Sequence, residues 1–290
     1  MRPFIFYSPD FSIPSFAFSL MLASLVATMV PYYMAKRRGL SQVAILDLAI
    51  VGTITAVIGG RMFHVVVEEW AYYMDNPSHI YQIWRGGFVS YGAFIGLATG
   101  WIVYCKFRKL DTLRYLDHVC LFAGPFIILM VRLGCLLAGC CYGTPSPFDK
   151  FEYLLYITFT NRASDAGHLH PGAHLWPTQI WAMAYSMIIF LICYWREGRV
   201  KFKGQVAMTF LGTYAIFRTG LEFFRGDEAR GVYFSNTIST AQITSIIAFL
   251  LVVVTWFILK KNFPLEKPYP RISPQDAKPP ETPKETPASP

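Results

Sequence analysis

The sequence is poor in charge. Asp, Glu, Lys and Arg make up 15% of its 290 residues, against about 25% in a soluble globular domain. It has no internal repeat, which argues against a solenoid or a propeller. Its six cysteines include no C-x-x-C pair, so neither a thioredoxin-like motif nor a zinc site is supported. The net charge is +8, yet no basic patch alternates with exposed aromatics, and nucleic acid is not an expected partner. What is abundant is apolar: 54% of residues are hydrophobic and 17% aromatic, with a mean hydropathy of +0.37. A chain of this composition is expected to be an all-α polytopic membrane protein.

A helix needs roughly 20 mostly apolar residues to cross a bilayer. Seven stretches qualify, at about 13–34, 45–67, 86–105, 116–138, 177–195, 204–224 and 241–260. The first has little positive charge before it and runs directly into "AKRRG", so it is expected to be retained rather than cleaved. Four basic clusters follow alternate spans: Lys36, Arg37 and Arg38; Lys106, Arg108, Lys109 and Arg114; Arg196, Arg199, Lys201 and Lys203; Lys260 and Lys261. With seven spans all four fall on one side, which the positive-inside rule makes cytoplasmic. The N-terminus is then outside and the C-terminus inside. One span more or fewer scatters the clusters over both faces. Of the outer loops, 139–176 is rich in turn formers and is expected to form a small structured excursion. Residues 1–262 form one transmembrane domain. Residues 263–290 hold nine of the 19 prolines without apolar periodicity, and are expected to be a disordered cytoplasmic tail.

Ionisable residues inside spans are costly, so each is a candidate for function. In "GTYAIFRTGLEFFRGD", Tyr214, Arg218, Glu222 and Arg225 are spaced four, four and three apart and line one helix face. Arg218 and Glu222 can pair there; a purely structural ion pair is the plainer alternative. In "GGRMFHVVVEEW", Arg61, His64 and Glu68 share a face, as part of a site or as solvated residues near the outer boundary. Arg132 closes the apolar run of the fourth span. All four arginines belong to the outer half of the membrane. Arginines beside tyrosines suit an anionic phosphate head group, which a guanidinium grips with two parallel hydrogen bonds. The glycines of "WRGGFVSYGAFIG" and "GCLLAG" permit close helix approach or shape a slot for acyl chains.

Cys105, Cys120 and Cys193 lie in or near spans and read as small apolar residues. Cys135, Cys140 and Cys141 gather at the outer end of the fourth span. Packing is the simplest reading for them. A disulfide from Cys135 to Cys140 or Cys141, and a reactive thiol, stay open.

These segments together resemble the prolipoprotein diacylglyceryl transferase family over about residues 10–260. "FRTGLEFFRGD" is similar to the family's F-R-x-x-x-E-F-F-R and carries over Arg218, Glu222 and Arg225, with Tyr214 just before. "VRLGCLLAGCCYG" resembles the signature G-R-x-G-N-F-x-N-G-E and carries over Arg132, Gly134 and Gly139. "WRGGFVSYGAFIG" resembles W-x-G-G-x-x-x-H-G-G-x-I-G. "WPTQIW", which contains Gln179, is similar to H-P-[ST]-Q-L-Y, and "STAQITSI" to S-x-G-Q-x-L-S-I. Gly60 and Arg61 match a G-G-R. The chain departs from the family at Tyr91, which replaces a histidine often given a catalytic role. Cys135 and Ala138 replace the two asparagines of the signature, Cys140 its glutamate, and Trp176 the histidine before Pro177.

The resemblance implies a seven-span enzyme of the bacterial inner membrane. Its partners would be phosphatidylglycerol and prolipoprotein signal peptides with a lipobox cysteine, with no cofactor and no metal. The diacylglyceryl group passes to the cysteine thiol, a thioether forms and glycerol-1-phosphate leaves. On this reading Arg218 and Arg132 hold the phosphate and Glu222 orients Arg218. Arg61, Tyr214, Arg225, Gly134, Gly139 and Gln179 bind substrate. Either Tyr91 activates the thiol, or the arginine field favours the thiolate without a base. Two other functions stand beside it: a non-catalytic lipid- or lipoprotein-binding paralogue, and a membrane thiol oxidoreductase built on Cys135, Cys140 and Cys141.

Overall fold

A backbone in hydrocarbon has no water to bond, so long apolar stretches satisfy their polar groups as helices. The computed structural model of the chain, which describes residues 2–8, 12–83, 86–227, 232–233 and 238–269, is built in this way. A short antiparallel hairpin, β1 (Phe4–Tyr7) and β2 (Ser12–Pro14), leads into α1 (Ser15–Lys36). α2 (Gln42–Phe63) starts at Ser41, whose side chain accepts from the Ala44 N–H. It runs on as a π-helical turn, His64–Glu68, before the short α3 (Trp70–Asp75) and α4 (Ser90–Phe107). Then follow α5 (Thr112–Phe122) and α6 (Gly124–Ala138). The excursion after α6 contains β3 (Ile157–Thr158), α7 (Asp165–Leu169) and β4 (His174–Leu175), with the two strands paired antiparallel. α8 (Thr178–Glu197) and α9 (Gln205–Glu222) precede a last hairpin, β5 (Val232–Tyr233) and β6 (Ile238–Ser239). α10 (Thr240–Asn262) opens with a reciprocal Ser239–Gln242 capping box, of a kind worth about 1 kcal/mol.

Among the described residues, five helical segments are long and apolar enough to cross a membrane: Ser15–Lys36, Gln42–Glu68, Thr112–Ala138, Thr178–Glu197 and Thr240–Asn262. The chain is therefore a mostly helical, membrane-type protein. The two other expected spans are the 18-residue helices α4 and α9. Glycines dilute the first, and Gln205, Arg218 and Glu222 the second. The fourth expected span is longer than its apolar run and is broken at Ala123, where α5 stops and α6 restarts with Pro125 in its first turn. Proline has no N–H to give and its ring crowds the preceding turn.

α2 and α4 meet backbone to backbone. A Cβ on Gly59 would lie 2.3 Å from the Gly92 oxygen, and one on Gly96 2.1 Å from the Thr55 oxygen. Of the two uses open to these glycines, close helix packing is the one realised. α6 lies between α1 and α8, and α9 packs on α8, α10 and α5. Leu121, Phe122, Ala182, Ile189, Cys193, Val206 and Leu221 fill the centre. Large apolar side chains such as Leu25, Ile54, Phe94, Leu250 and Phe257 face outward, as suits helices surrounded by lipid rather than water.

At the end where α1 and α8 finish and α5 and α9 begin, charges are tied together. Arg38 pairs with Glu197, and Arg114 donates to the Arg38 carbonyl at 2.7 Å. The buried Asp117 accepts the N–H groups of Gly204 and Ala207, both at 2.8 Å, and so caps α9 from a neighbouring helix. The expected tail starts inside this arrangement. Leu265 donates to the Lys201 carbonyl at 2.8 Å and the Tyr269 hydroxyl to Asp117 at 3.3 Å, so residues 263–269 are docked on the helices. Residues 270–290 lie outside the described residues.

Candidate active site

The opposite end, where α6 and α9 finish and α8 begins, holds the expected charges. Arg218 and Glu222 form an ion pair one turn apart on α9, both nearly buried. The helix ends at Glu222, so Arg225 is not on its face as the spacing suggested. It still reaches the same carboxylate, at 3.5 Å, and grips Asp227 with Nε and Nη2 at 2.8 and 2.5 Å. Burial alone would lower the Arg225 pKa, but Asp227, Cys141 and Glu222 hold it well above the ordinary guanidinium range. The backbone fixes this corner to the loop after α6: Thr144 donates to the Phe224 carbonyl at 2.9 Å and Gly226 to that of Tyr142 at 3.0 Å.

Arg132 comes from α6 and is half-buried. Its electrostatic neighbours are Tyr185, Cys141, Cys135 and Tyr214, and it makes no hydrogen bond or ion pair with any described residue. Tyr185, on α8, is the residue that sequence reasoning missed. It is buried, stacks on Phe217 at 5.4 Å and feels the charges of Arg132, Arg218 and Arg225. Its hydroxyl has no hydrogen-bond partner among the described residues. A buried hydroxyl without a partner is costly and rare. No sequence signal marks it: it is one of 17 tyrosines, in a mostly apolar helix. Among the described residues, three guanidiniums here, those of Arg132, Arg218 and Arg225, face two carboxylates, Glu222 and Asp227, an excess of one positive charge. The arrangement can receive an anion.

The other expected residues form the walls. Tyr214 is half-buried, stacked on Phe210 and edge-on to Tyr185. Gly139 ends α6 with φ +76°, and a Cβ there would lie 2.5 Å from that of Ser164. Gly134 lets α6 press on α1, with 2.8 Å between its would-be Cβ and that of Ser19. Gln179 is fully buried and donates to the Cys140 carbonyl at 2.8 Å. Arg61 is buried elsewhere, with every nitrogen on a carbonyl: Nε to Ile80 at 3.0 Å, Nη1 to Gly86 and Gly87 at 2.5 and 3.1 Å, Nη2 to His79 at 2.6 Å. It ties His79, Ile80, Gly86 and Gly87 to α2, and a direct grip on a head group would require those bonds to break. Tyr91 is exposed in the first turn of α4 and makes no hydrogen bond with the described residues.

All six cysteines are free thiols. Those of Cys135, Cys140 and Cys141 converge beside Arg132. The guanidiniums of Arg225 and Arg132 act on Cys141 electrostatically.

The prolipoprotein diacylglyceryl transferase family model matches residues 3–258. The chain belongs to that family. A phosphatidylglycerol–prolipoprotein diacylglyceryl transferase of Clostridium tetani is 30% identical over 254 residues, covering 87% of this chain and 95% of the relative. Phosphatidylglycerol–prolipoprotein diacylglyceryl transferase 2 of Clostridium perfringens is 32% identical over 237 residues, 80% of this chain and 85% of its own. One from Acinetobacter baumannii is 26% identical over 249 residues, 83% and 87%. For a member of this family, the cysteine departures at 135 and 140 fall on the wall of the arginine site, whereas the departure at Tyr91 falls on an exposed helix start.

Proposed function

We propose that this chain is a phosphatidylglycerol–prolipoprotein diacylglyceryl transferase of a bacterial inner membrane. It moves the diacylglyceryl group of phosphatidylglycerol to the lipobox cysteine thiol of a prolipoprotein. The names of its relatives support the reaction. The observation that carries the site is Arg132, a half-buried guanidinium that has no carboxylate partner among the described residues and lies beside the Tyr185 hydroxyl, which has no hydrogen-bond partner among them either. Seven spans with the N-terminus outside are supported by the ties among the basic helix ends. The arginine site then lies in the outer half of the membrane, where the lipobox cysteine arrives.

Arg132 and Arg218 hold the phosphate of the lipid, Glu222 and Arg225 position Arg218, and Tyr185 donates to a phosphate oxygen. The substrate thiolate attacks the glycerol carbon that bears the phosphate ester. A C–S bond forms as the C–O bond breaks, and the electron pair goes to the leaving glycerol-1-phosphate. The guanidiniums meet that developing charge in a site poor in water. A thiol with a pKa near 8.5 must first lose its proton, and the excess positive charge favours the thiolate without a side-chain base. Gln179, Gly134 and Gly139 shape the wall, Tyr214 flanks the phosphate, and Arg61 orders the loop leading to Tyr91.

The test is transfer of isotope-labelled diacylglycerol from phosphatidylglycerol to a lipobox peptide by the purified chain in lipid nanodiscs. A thioether product at the peptide cysteine is expected. Binding of both substrates without product, together with failure to rescue a transferase-depleted strain, would establish the non-catalytic paralogue instead.

A further inference from the structure

The three thiols at the end of α6 form a group that the spacing of the sequence does not announce. The Sγ atoms of Cys135, Cys140 and Cys141 all lie within 4.8 Å of one another. Three thiolates at about 2.3 Å from one ion stand roughly 4 Å apart, so small side-chain adjustments bring them onto a common centre. The backbone is prepared for this. The Cys140 N–H bonds the Cys135 carbonyl at 3.1 Å. Gln179 holds the Cys140 carbonyl and Thr178 the Cys141 carbonyl, each at 2.8 Å. Cys141 adopts φ +56°, a left-handed conformation that few residues other than glycine take. Such strain persists where surrounding structure over-determines it, and it gathers at functional positions.

We propose that Cys135, Cys140 and Cys141 bind one soft, closed-shell metal cation, copper(I) in preference to zinc(II). The group holds three thiols and, among the described residues, neither an imidazole nor a carboxylate. Soft thiolates select copper(I) and zinc(II), and a structural zinc takes a fourth ligand that is missing here. Binding releases three protons and forms three metal–sulfur bonds with no change of oxidation state. The complex with copper(I) carries two negative charges, and Arg132, which lies beside Cys141 and has no carboxylate partner among the described residues, offsets part of them. Cys140 and Cys141 are half-buried, which leaves an ion a route in.

The full chain, reduced and metal-free in detergent, is titrated with copper(I) against a competing chelator, and separately with zinc(II). Uptake of one copper(I) per chain is expected, with three sulfur neighbours by X-ray absorption. Each of Cys135→Ser, Cys140→Ser and Cys141→Ser should weaken binding by more than the about 10–100-fold that loss of an outer-shell partner costs. Cys193→Ser, in the packed centre, should leave it unchanged. Because a variant at Cys141 can misfold, the wild-type chain is also alkylated with and without copper(I) and the labelled cysteines are counted by mass spectrometry. Protection confined to Cys135, Cys140 and Cys141 supports the site. No stoichiometric uptake, uptake indifferent to the three substitutions, protection elsewhere, or a disulfide among the three that persists under reductant and blocks uptake would each overturn it.

Discussion

The two ends of the helical bundle are both charged, and they use charge differently. At one end Arg38 meets Glu197, Lys203 meets Asp111, and Asp117 caps α9. Each of these acids is met by a base or by backbone N–H groups, and the contacts hold helix ends together. At the other end Arg218, Glu222, Arg225 and Asp227 form a chain of pairs, but Arg132 and the Tyr185 hydroxyl are left over among the described residues. Ion pairs occur at both ends and do not tell them apart. The leftover donors separate them, because a buried donor is tolerated only where something, protein or ligand, comes to meet it.

The comparison can be broken at its strongest point first. Arg218→Lys keeps a positive charge beside Glu222 but loses the planar fork that grips phosphate. Diacylglyceryl transfer is expected to fall by about 10²–10³-fold, the usual loss for one donor to a developing charge, with the thermal midpoint unchanged. Full activity in the lipid-plus-peptide assay would show that the pair is structural, like its counterpart at the other end.

Tyr185→Phe tests the leftover hydroxyl. Hydrogen bonds to charged groups are worth about 1.5–3 kcal/mol, so kcat/KM should drop roughly ten- to hundredfold through loss of phosphate contact. A stability gain with full activity would mean the hydroxyl was only an unmet polar group.

The basic end should respond in the opposite sense. Asp117→Ala strands two buried N–H groups at the start of α9, and each such loss costs about 1–3 kcal/mol. Thermal unfolding should show the destabilisation while turnover per folded molecule holds; lost turnover in a fully folded variant would place Asp117 in the chemistry.

Tyr91→Phe should have the smallest effect. The exposed side chain meets none of the described residues through a hydrogen bond, so near-normal turnover is expected. A large fall in kcat would restore Tyr91 as the base.

Much of this was legible in the residues. The i, i+4 spacing of Arg218 and Glu222 foretold their pairing, because helical periodicity alone puts them together. The turn formers of 139–176 foretold a structured excursion. Other features depended on which faces meet. Arg61 resembled a head-group ligand until the carbonyls of His79, Ile80, Gly86 and Gly87 closed on it. The segment after residue 262 resembled a tail, and its first residues dock because Lys201 and Asp117 offer them acceptors. The three cysteines lacked a metal spacing, yet the left-handed turn at Gly139 and Cys141 folds their sulfurs together.

By itself, then, the sequence determined that this chain is a helical membrane-type protein and which residues share a helix face, since both follow from composition and the 3.6-residue repeat. Its motifs also carried the family. The tertiary structure alone decided which donors are already satisfied. That is a property of neighbours contributed by distant segments, and it separates Arg61, closed on carbonyls, from Arg132, open beside Tyr185.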